Sequence, residues 1–497
     1  MTFIASHWPY SQKMLVPALQ EAFKTNVTIQ HFHRFYFPHP GCEVESLVLG
    51  RFEHSTGPQG LVTVQKMTMT GRYSDLLFRP YHFADIRLDG LHVRIPPQSG
   101  HGTSGNHPSD EDLQPSKVSI GLVTANGSVL EFTNENGDAP LRFEIHKLRV
   151  QSISAGKPMS YQVNMSMSKP SGELESTGTF GPWQSAQIGK IPLNGSVKLT
   201  GAKLDKYDGI GGTLQSAETF SGTLDQAQVI GEATVPDFHL KWPGHPIQLF
   251  SQFEVMVNAL EGEARLRDVT AKLGQTTLHV QGGIIKSPRL KHRETSLDFT
   301  ILRGRAEDFL WLFNSASKPP MLGNLTSSGH ILVPKFGAGF LEELVLNGRF
   351  EVRDGHFQRE TQLKTNELSA RAQGKKIKDA TEAPEVAVAS LASDVTIERD
   401  VAHFSRLYFE VPGARARVQG TYDLKTHQVD LRGNLWTDAS VSEDTSGVKA
   451  ILLKPVDPLF RRKHAGAMVA VVMDGDIDQP HFGTELTKKK TAWQNSK

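Results

Sequence analysis

The chain has one cysteine, Cys42, so it can form neither an intramolecular disulfide nor a zinc site built from clustered cysteines. It also has almost no net charge: 54 basic residues against 53 acidic ones leave a formal +1. Without a broad basic field, no nucleic acid is expected as a partner. No apolar run approaches the roughly 20 residues of a membrane-spanning helix. The longest, Ala465 to Met473, is Val-rich, lies between His464 and Asp474, and reads as a buried strand. The N-terminus has no charged head before an apolar block, so no secretory signal is read there. Trp8 beside Pro9 fits both an ordinary start and the interfacial end of a membrane helix. Enzyme signatures are missing as well: there is no serine elbow, phosphate-binding glycine loop, dinucleotide fingerprint or zinc-protease helix. Paired carboxylates such as Glu342 and Glu343 have no cleft context. The chain reads as a non-enzyme with no catalytic residue, metal or cofactor.

What is present is a folded chain's composition, 38% hydrophobic and 22% charged, together with a recurring pattern. Glycine precedes short alternating runs at Asn126-Gly127, Asn194-Gly195, Ser221-Gly222, Asn347-Gly348, Gln419-Gly420 and Asp474-Gly475. Alternation gives each strand one apolar and one polar face. The dipeptides suggest tight hairpins, where positive φ is needed. About 20 strands at ~4.7 Å make a sheet on the order of 100 Å across, and open sheets of that size curl, split or close. The expected fold is therefore mainly β: an elongated, coiled antiparallel sheet forming an open hydrophobic groove, with a few short helices.

Along the chain, Pro17 to Phe23 reads as a short helix. Strands follow at Val27–Ile29, Glu43–Leu49, Leu61–Met69 and Ile86–Ile95. Residues 96–116 are Gly/Pro/Ser-rich and read as a linker. Ala306, Phe309, Leu310 and Phe313 form an i, i+3, i+4, i+7 stripe of a second helix. A third lies near Thr361–Ala372, and Lys454–His464 could form another. This divides the chain into an N-terminal α/β segment (1–95), the linker, a β-groove region (117–303), a helix-strand-helix insertion (304–387), a C-terminal β region (388–486) and a basic tail (487–497).

Several polar groupings carry little chemistry. His31, His33 and His39 cluster without carboxylate or cysteine partners and read as partly buried structural histidines. Asp474, Asp476 and Asp478 alternate like the start of a calcium loop, but Gln479 stands where that loop needs Gly. They read as a solvated strand face. Phe460-Arg461-Arg462-Lys463-His464 reads as the cationic end of a short helix, with an anionic lipid surface as the other possibility.

Other segments have a family likeness. They are Tyr36-Phe37-Pro38-His39-Pro40-Gly41, Phe220-Ser221-Gly222-Thr223-Leu224-Asp225, Val235-Pro236-Asp237-Phe238 and Ser317-Lys318-Pro319-Pro320-Met321. They continue with Leu346-Asn347-Gly348-Arg349-Phe350, Leu368-Ser369-Ala370-Arg371-Ala372-Gln373-Gly374-Lys375 and Gly475-Asp476-Ile477-Asp478-Gln479-Pro480-His481-Phe482-Gly483. In this order they resemble the AsmA-like family of bacterial envelope proteins. The resemblance implies a protein of the bacterial inner membrane facing the periplasm, or of the periplasm, with a repeating β-groove similar to that of bridge-like lipid transfer proteins. It implies a role in lipid trafficking or outer-membrane assembly. Implied partners are phospholipid or other acyl lipids, the bacterial membrane and envelope proteins. The N-terminal anchor helix that the family implies is not seen in this chain.

Physical chemistry makes the lipid expectation concrete. Exposing ~30 methylenes to water costs about 20–25 kcal/mol at ~0.8 kcal/mol each. A sheet with an apolar floor can cover them without catalysis. Candidate floor positions are Val197 and Leu199; Leu278 and Val280; Leu407, Phe409 and Val411; and Val429, Leu431 and Leu435. Alternation alone does not say whether protein or lipid faces them. The rival function is a structural or assembly factor for outer-membrane proteins that acts by strand addition.

Overall fold

The computed structural model describes residues 10–23, 26–50, 61–78, 82–95, 119–132, 140–154, 156–182, 187–207, 209–241, 244–286, 293–313, 317–333, 344–357, 359–373, 386–438, 468–476 and 481–483. The linker 96–116, the basic run 460–464, the expected helix 454–464 and the tail 487–497 lie outside them. In chain order the strands begin with β1 (Asn26–Thr28), β2 (His31–Phe35), β3 (Gly41–Gly50), β4 (Leu61–Thr70), β5 (His82–Ile95), β6 (Ser119–Phe132), β7 (Leu141–Ser154) and β8 (Met159–Ser168). Next come β9 (Ser171–Phe180), β10 (Pro192–Lys203), β11 (Ile210–Gly211), β12 (Thr213–Thr223), β13 (Gln226–Leu240), β14 (Ile247–Asn258), β15 (Glu263–Leu273), β16 (Thr276–Lys286) and β17 (Arg293–Arg305). The last are β18 (Met321–Val333), β19 (Val345–Phe357), β20 (Ala389–Glu398), β21 (Val401–Val411), β22 (Ala414–Asp423), β23 (Gln428–Thr437), β24 (Met468–Asp476) and β25 (His481–Gly483). Among the described residues four short α-helices accompany them: α1 (Gln12–Phe23), α2 (Tyr73–Phe78), α3 (Ala306–Phe313) and α4 (Arg359–Ala372). The protein is mainly β, as its alternation predicts. Among the described residues no helix is long and apolar enough to cross a membrane.

The chain divides into two compact units. One comprises residues 1–206, 213–234 and 254–262, and the other residues 207–212, 235–253 and 263–497. In the first, β1 and β2 both pair with β3, and the ladder continues strand by strand from β3 to β10, then through β12 to β13. In the second, successive strands from β15 to β25 pair in order. Both ladders are open and uncurled rather than coiled as expected, so the apolar side of each is a broad face and not a groove. The pairings are antiparallel with one correction: β5 and β6 run parallel. A sheet of hairpins was expected, and residues 96–118, between these two strands, are long enough to carry the chain back.

The glycine dipeptides are a second correction. They sit inside strands rather than at hairpin turns: Gly127 within β6, Gly195 within β10, Gly348 within β19 and Gly420 within β22. The tight turns fall elsewhere. Arg399 and Asp400, with φ of 51° and 61°, make the two-residue connection between β20 and β21. Gly413, with φ of 83°, serves the β21–β22 turn. Gly127 and Gly420 do take positive φ, 55° and 151°, but within their strands, and elsewhere in-strand glycine makes room for a neighbouring ring. A Cβ on Gly195 would stand 2.7 Å from Cζ of Phe220, and one on Gly329 would stand 2.8 Å from the Phe299 ring.

Each unit has its own core. In the first, Tyr10, Cys42, Val44, Leu47 and Met67 pack beneath Leu15 of α1. That helix begins five residues before the expected Pro17, which it carries inside, and Ser11 accepts from the amides of Met14 and Leu15. Helix α2 was not foreseen; its six residues are too few to display a helical stripe. In the second unit, Phe309 and Leu310 of α3 pack on Ile301, Met321, Leu325 and Val352. Leu368 and Ala372 of α4 pack with Ala389, Val411 and Ala414.

Candidate functional site

The registers set a continuous apolar row across the first unit. Val123, Val150, Tyr161, Gly178, Gly195, Phe220 and Val229 lie opposite one another on consecutive strands, and therefore on one face. Gly178 and Gly195 are adjacent in this row, and neither contributes a side chain. The same face carries a hollow of about 370 Å³ lined by Leu148, Val150, Met159, Tyr161, Phe180, Leu193 and Phe220. In the row Tyr161 and Phe220 stand on either side of the two glycines, and the Phe220 ring lies over the Gly195 position. Ligand sites span roughly 300–1,000 Å³, so this one suits a segment of an apolar chain rather than a whole amphiphile.

Polar groups on this face are few and fixed. The buried Ser176 hydroxyl donates to the Ser196 carbonyl at 2.9 Å and bonds the Tyr161 hydroxyl at 3.1 Å. Glu218 is the exception. It shares the apolar face, between Val197 of β10 and Gly231 of β13. Its Oε2 is enclosed and has no hydrogen-bond partner. Burial pushes the carboxyl upward from its ordinary value, opposed by a hydrogen bond with Ser216. The opposite face of the unit carries the ion pairs, among them Lys66–Glu43 at 2.9 Å and Arg142–Glu144 at 3.2 Å.

The second unit has the same two-faced construction. Val280, Phe299, Gly329, Gly348, Val395, Phe404, Gly420, Leu431 and Met473 form an apolar row. The far side holds Arg406–Asp394 at 2.6 Å, His330–Asp298 at 2.8 Å and Arg353–Glu351 at 2.7 Å. Here the two helices cover one end of the apolar face. Asp308 anchors α3: its Oδ2 accepts from Thr276 Oγ1 at 2.7 Å and from the Gln275 amide at 3.0 Å. Ser369 anchors α4 by donating to the Pro412 carbonyl at 2.6 Å.

All ten floor positions read from the sequence lie on these apolar faces, but in three settings. Val411 and Val429 are fully buried. Leu278, Phe409 and Leu435 pack against the cores under α3 and α4. Val197, Leu199, Val280, Leu407 and Leu431 are half-buried on the faces. None lines the hollow. Its lining shows in the sequence only as the same-face pairs Leu148/Val150 and Met159/Tyr161, which look like any strand. Which pairs border the hollow is set by the register, in which Val150 meets Tyr161 and Leu193 meets Phe180.

His31, His33 and His39 are exposed rather than partly buried. The register explains His31 and His33: they stand on the face of β2 that holds Glu43 and Glu45, away from the Phe32–Val44 core side. Asp474 lies in β24 and bonds His481 at 3.2 Å. Among the described residues no three His, Cys, Asp or Glu side chains come together as metal ligands. No family model matches the chain, and no curated protein matches it.

Proposed function

We propose that this protein is a non-enzymatic lipid-binding or lipid-transport protein of the bacterial cell envelope, with acyl chains lying on its apolar sheet faces. The observation that carries this reading is the hollow of the first unit, whose lining is apolar but for the Tyr161 hydroxyl. Water there finds almost no hydrogen-bonding partner, whereas a methylene chain gains ~0.8 kcal/mol per buried CH₂. Ion pairs on the opposite faces keep that side wet and leave the apolar side as the binding side. The resemblance to AsmA-like proteins supports the same function and suggests a periplasmic setting at the inner membrane, with phospholipid and envelope proteins as partners.

The test is lipid extraction and native mass spectrometry of the purified protein and of Phe220→Glu. Wild type should carry acyl lipid, and Phe220→Glu should lose most of it while its β circular-dichroism spectrum is unchanged. A lipid-free wild type that instead captures unfolded outer-membrane polypeptides would establish strand addition in its place.

A further inference from the structure

The turn joining β2 to β3 is an outlier on the surface. Phe37 is 86% exposed and Tyr36 is 55% exposed. Tyr73, at the start of α2, is 49% exposed, and its hydroxyl donates to the Tyr36 carbonyl. The Gly71 amide donates to the Pro40 carbonyl at 2.9 Å, which joins the two segments a second time. Behind them Gly71 abuts the hydroxyl of Tyr10, a fully buried core residue. The aromatic tip is therefore held out on a rigid base.

Its charge is one-sided. Arg34 and Arg72 are exposed, and His33 and His39 stand in the same segments. Residues 33–40 and 71–74 contain no Asp or Glu. The nearest carboxylates in sequence are Glu43, which stands opposite His33 and pairs with Lys66 at 2.9 Å, and Asp75, whose side chain is only 14% exposed and lies 4.0 Å from His82.

We infer that this tip docks on the interface of an anionic lipid bilayer, with Phe37 seated among the headgroups between Tyr36 and Tyr73 and the arginines on lipid phosphates. Aromatic side chains with a polar end favour that interface, and cations add to it when the surface is negative. Size argues against a protein partner. Three aromatics bury about 450–750 Å², less than the ~800 Å² per partner of a stable complex. A bilayer sets no such minimum area. The inference does not depend on the lipid-carrier reading, because the tip and the hollow use different residues.

The experiment is co-sedimentation of the full chain with vesicles of phosphatidylcholine alone or with 30% phosphatidylglycerol, on the order of a bacterial anionic fraction. Wild type should bind the anionic vesicles and be released by salt. Replacing both arginines, Arg34→Gln with Arg72→Gln, should weaken binding about thirty-fold, roughly five-fold per charge. Phe37→Ser should weaken it about ten-fold or more. Phe220→Glu should leave it unchanged, which separates docking from uptake into the hollow. Equal binding to both vesicle types would overturn the inference. So would binding that survives Phe37→Ser, or a change of oligomeric state on that substitution in place of lost vesicle binding.

Discussion

The apolar faces of the two units are built by the same rule and finished differently. In the second, α3 and α4 lie over one end and turn that part of the face into core around Ile301, Val352 and Ala389. In the first, α1 completes a core at β3 and β4, while the face from β7 to β12 carries a hollow lined by Val150, Tyr161, Phe180 and Phe220. An alternating strand does not specify its own partner. A helix placed after β17 supplies one in the second unit, whereas in the first the side chains around Tyr161 and Phe220 border a hollow.

Substitutions can break or sharpen that contrast. The largest effect is expected from Asp308→Ala. It strands the Gln275 amide and the Thr276 hydroxyl, and should cost about 3 kcal/mol in denaturant unfolding. Hydrogen exchange should rise in β15 to β18; an unchanged profile would mean that α3 is not held by this carboxylate. Next comes a matched pair. Ile301→Ala, at 2% exposure beneath α3, should cost about 3 kcal/mol, whereas Phe220→Ala, beside the hollow, should cost about 1 kcal/mol because it is already half in solvent. Equal losses would show that the two faces are packed alike.

A smaller effect is expected from Glu218→Gln, and its sign follows from linkage. The folded state holds the Glu218 proton to higher pH than the unfolded chain, whose carboxyl titrates near the ordinary 4.5. Unfolding therefore releases a proton in the window above 4.5, and stability falls as pH rises through the folded value. Glu218→Gln should match wild type below pH ~4 and exceed it at pH 8 in paired melts. A gap that is constant with pH would mean that the carboxyl is hydrated. The smallest effect is expected from Arg406→Gln on the polar face. Losing its 2.6 Å pair with Asp394 should cost about 0.5 kcal/mol or less, and nothing in high salt.

Much of this fold was legible because period-2 alternation survives in nearly every strand, and because Ala306, Phe309 and Leu310 mark α3 almost to its ends. The site was less so. The sequence placed Val197 and Leu199 on the correct face of β10 yet missed Leu193, which lines the hollow on the same strand. Alternation fixes which side a residue faces, while the hollow is set by which residues stand opposite, and register is a property of pairs of strands. The glycine dipeptides misled for a related reason. Asn-Gly favours positive φ locally, as Gly127 shows within β6, but at Gly195 the constraint is the close approach of the Thr177 carbonyl and the Phe220 ring from neighbouring strands. Asp308 was unremarkable in sequence, because its partners lie more than 30 residues away.

The parallel step between β5 and β6 has a mechanical consequence. Ser119 stands beside His82, so the chain leaving Ile95 must travel back along the whole length of the strand before β6 begins. Fourteen residues at ~3.3 Å make that distance about 45 Å, and a fully stretched chain needs about 13 residues to cover it. Twenty-three are available between Ile95 and Ser119. The segment can thus lose about ten residues with β6 still reaching its register. A deeper deletion would leave β6 free to enter only in the opposite sense, exchanging the edges of the sheet at which every later turn emerges.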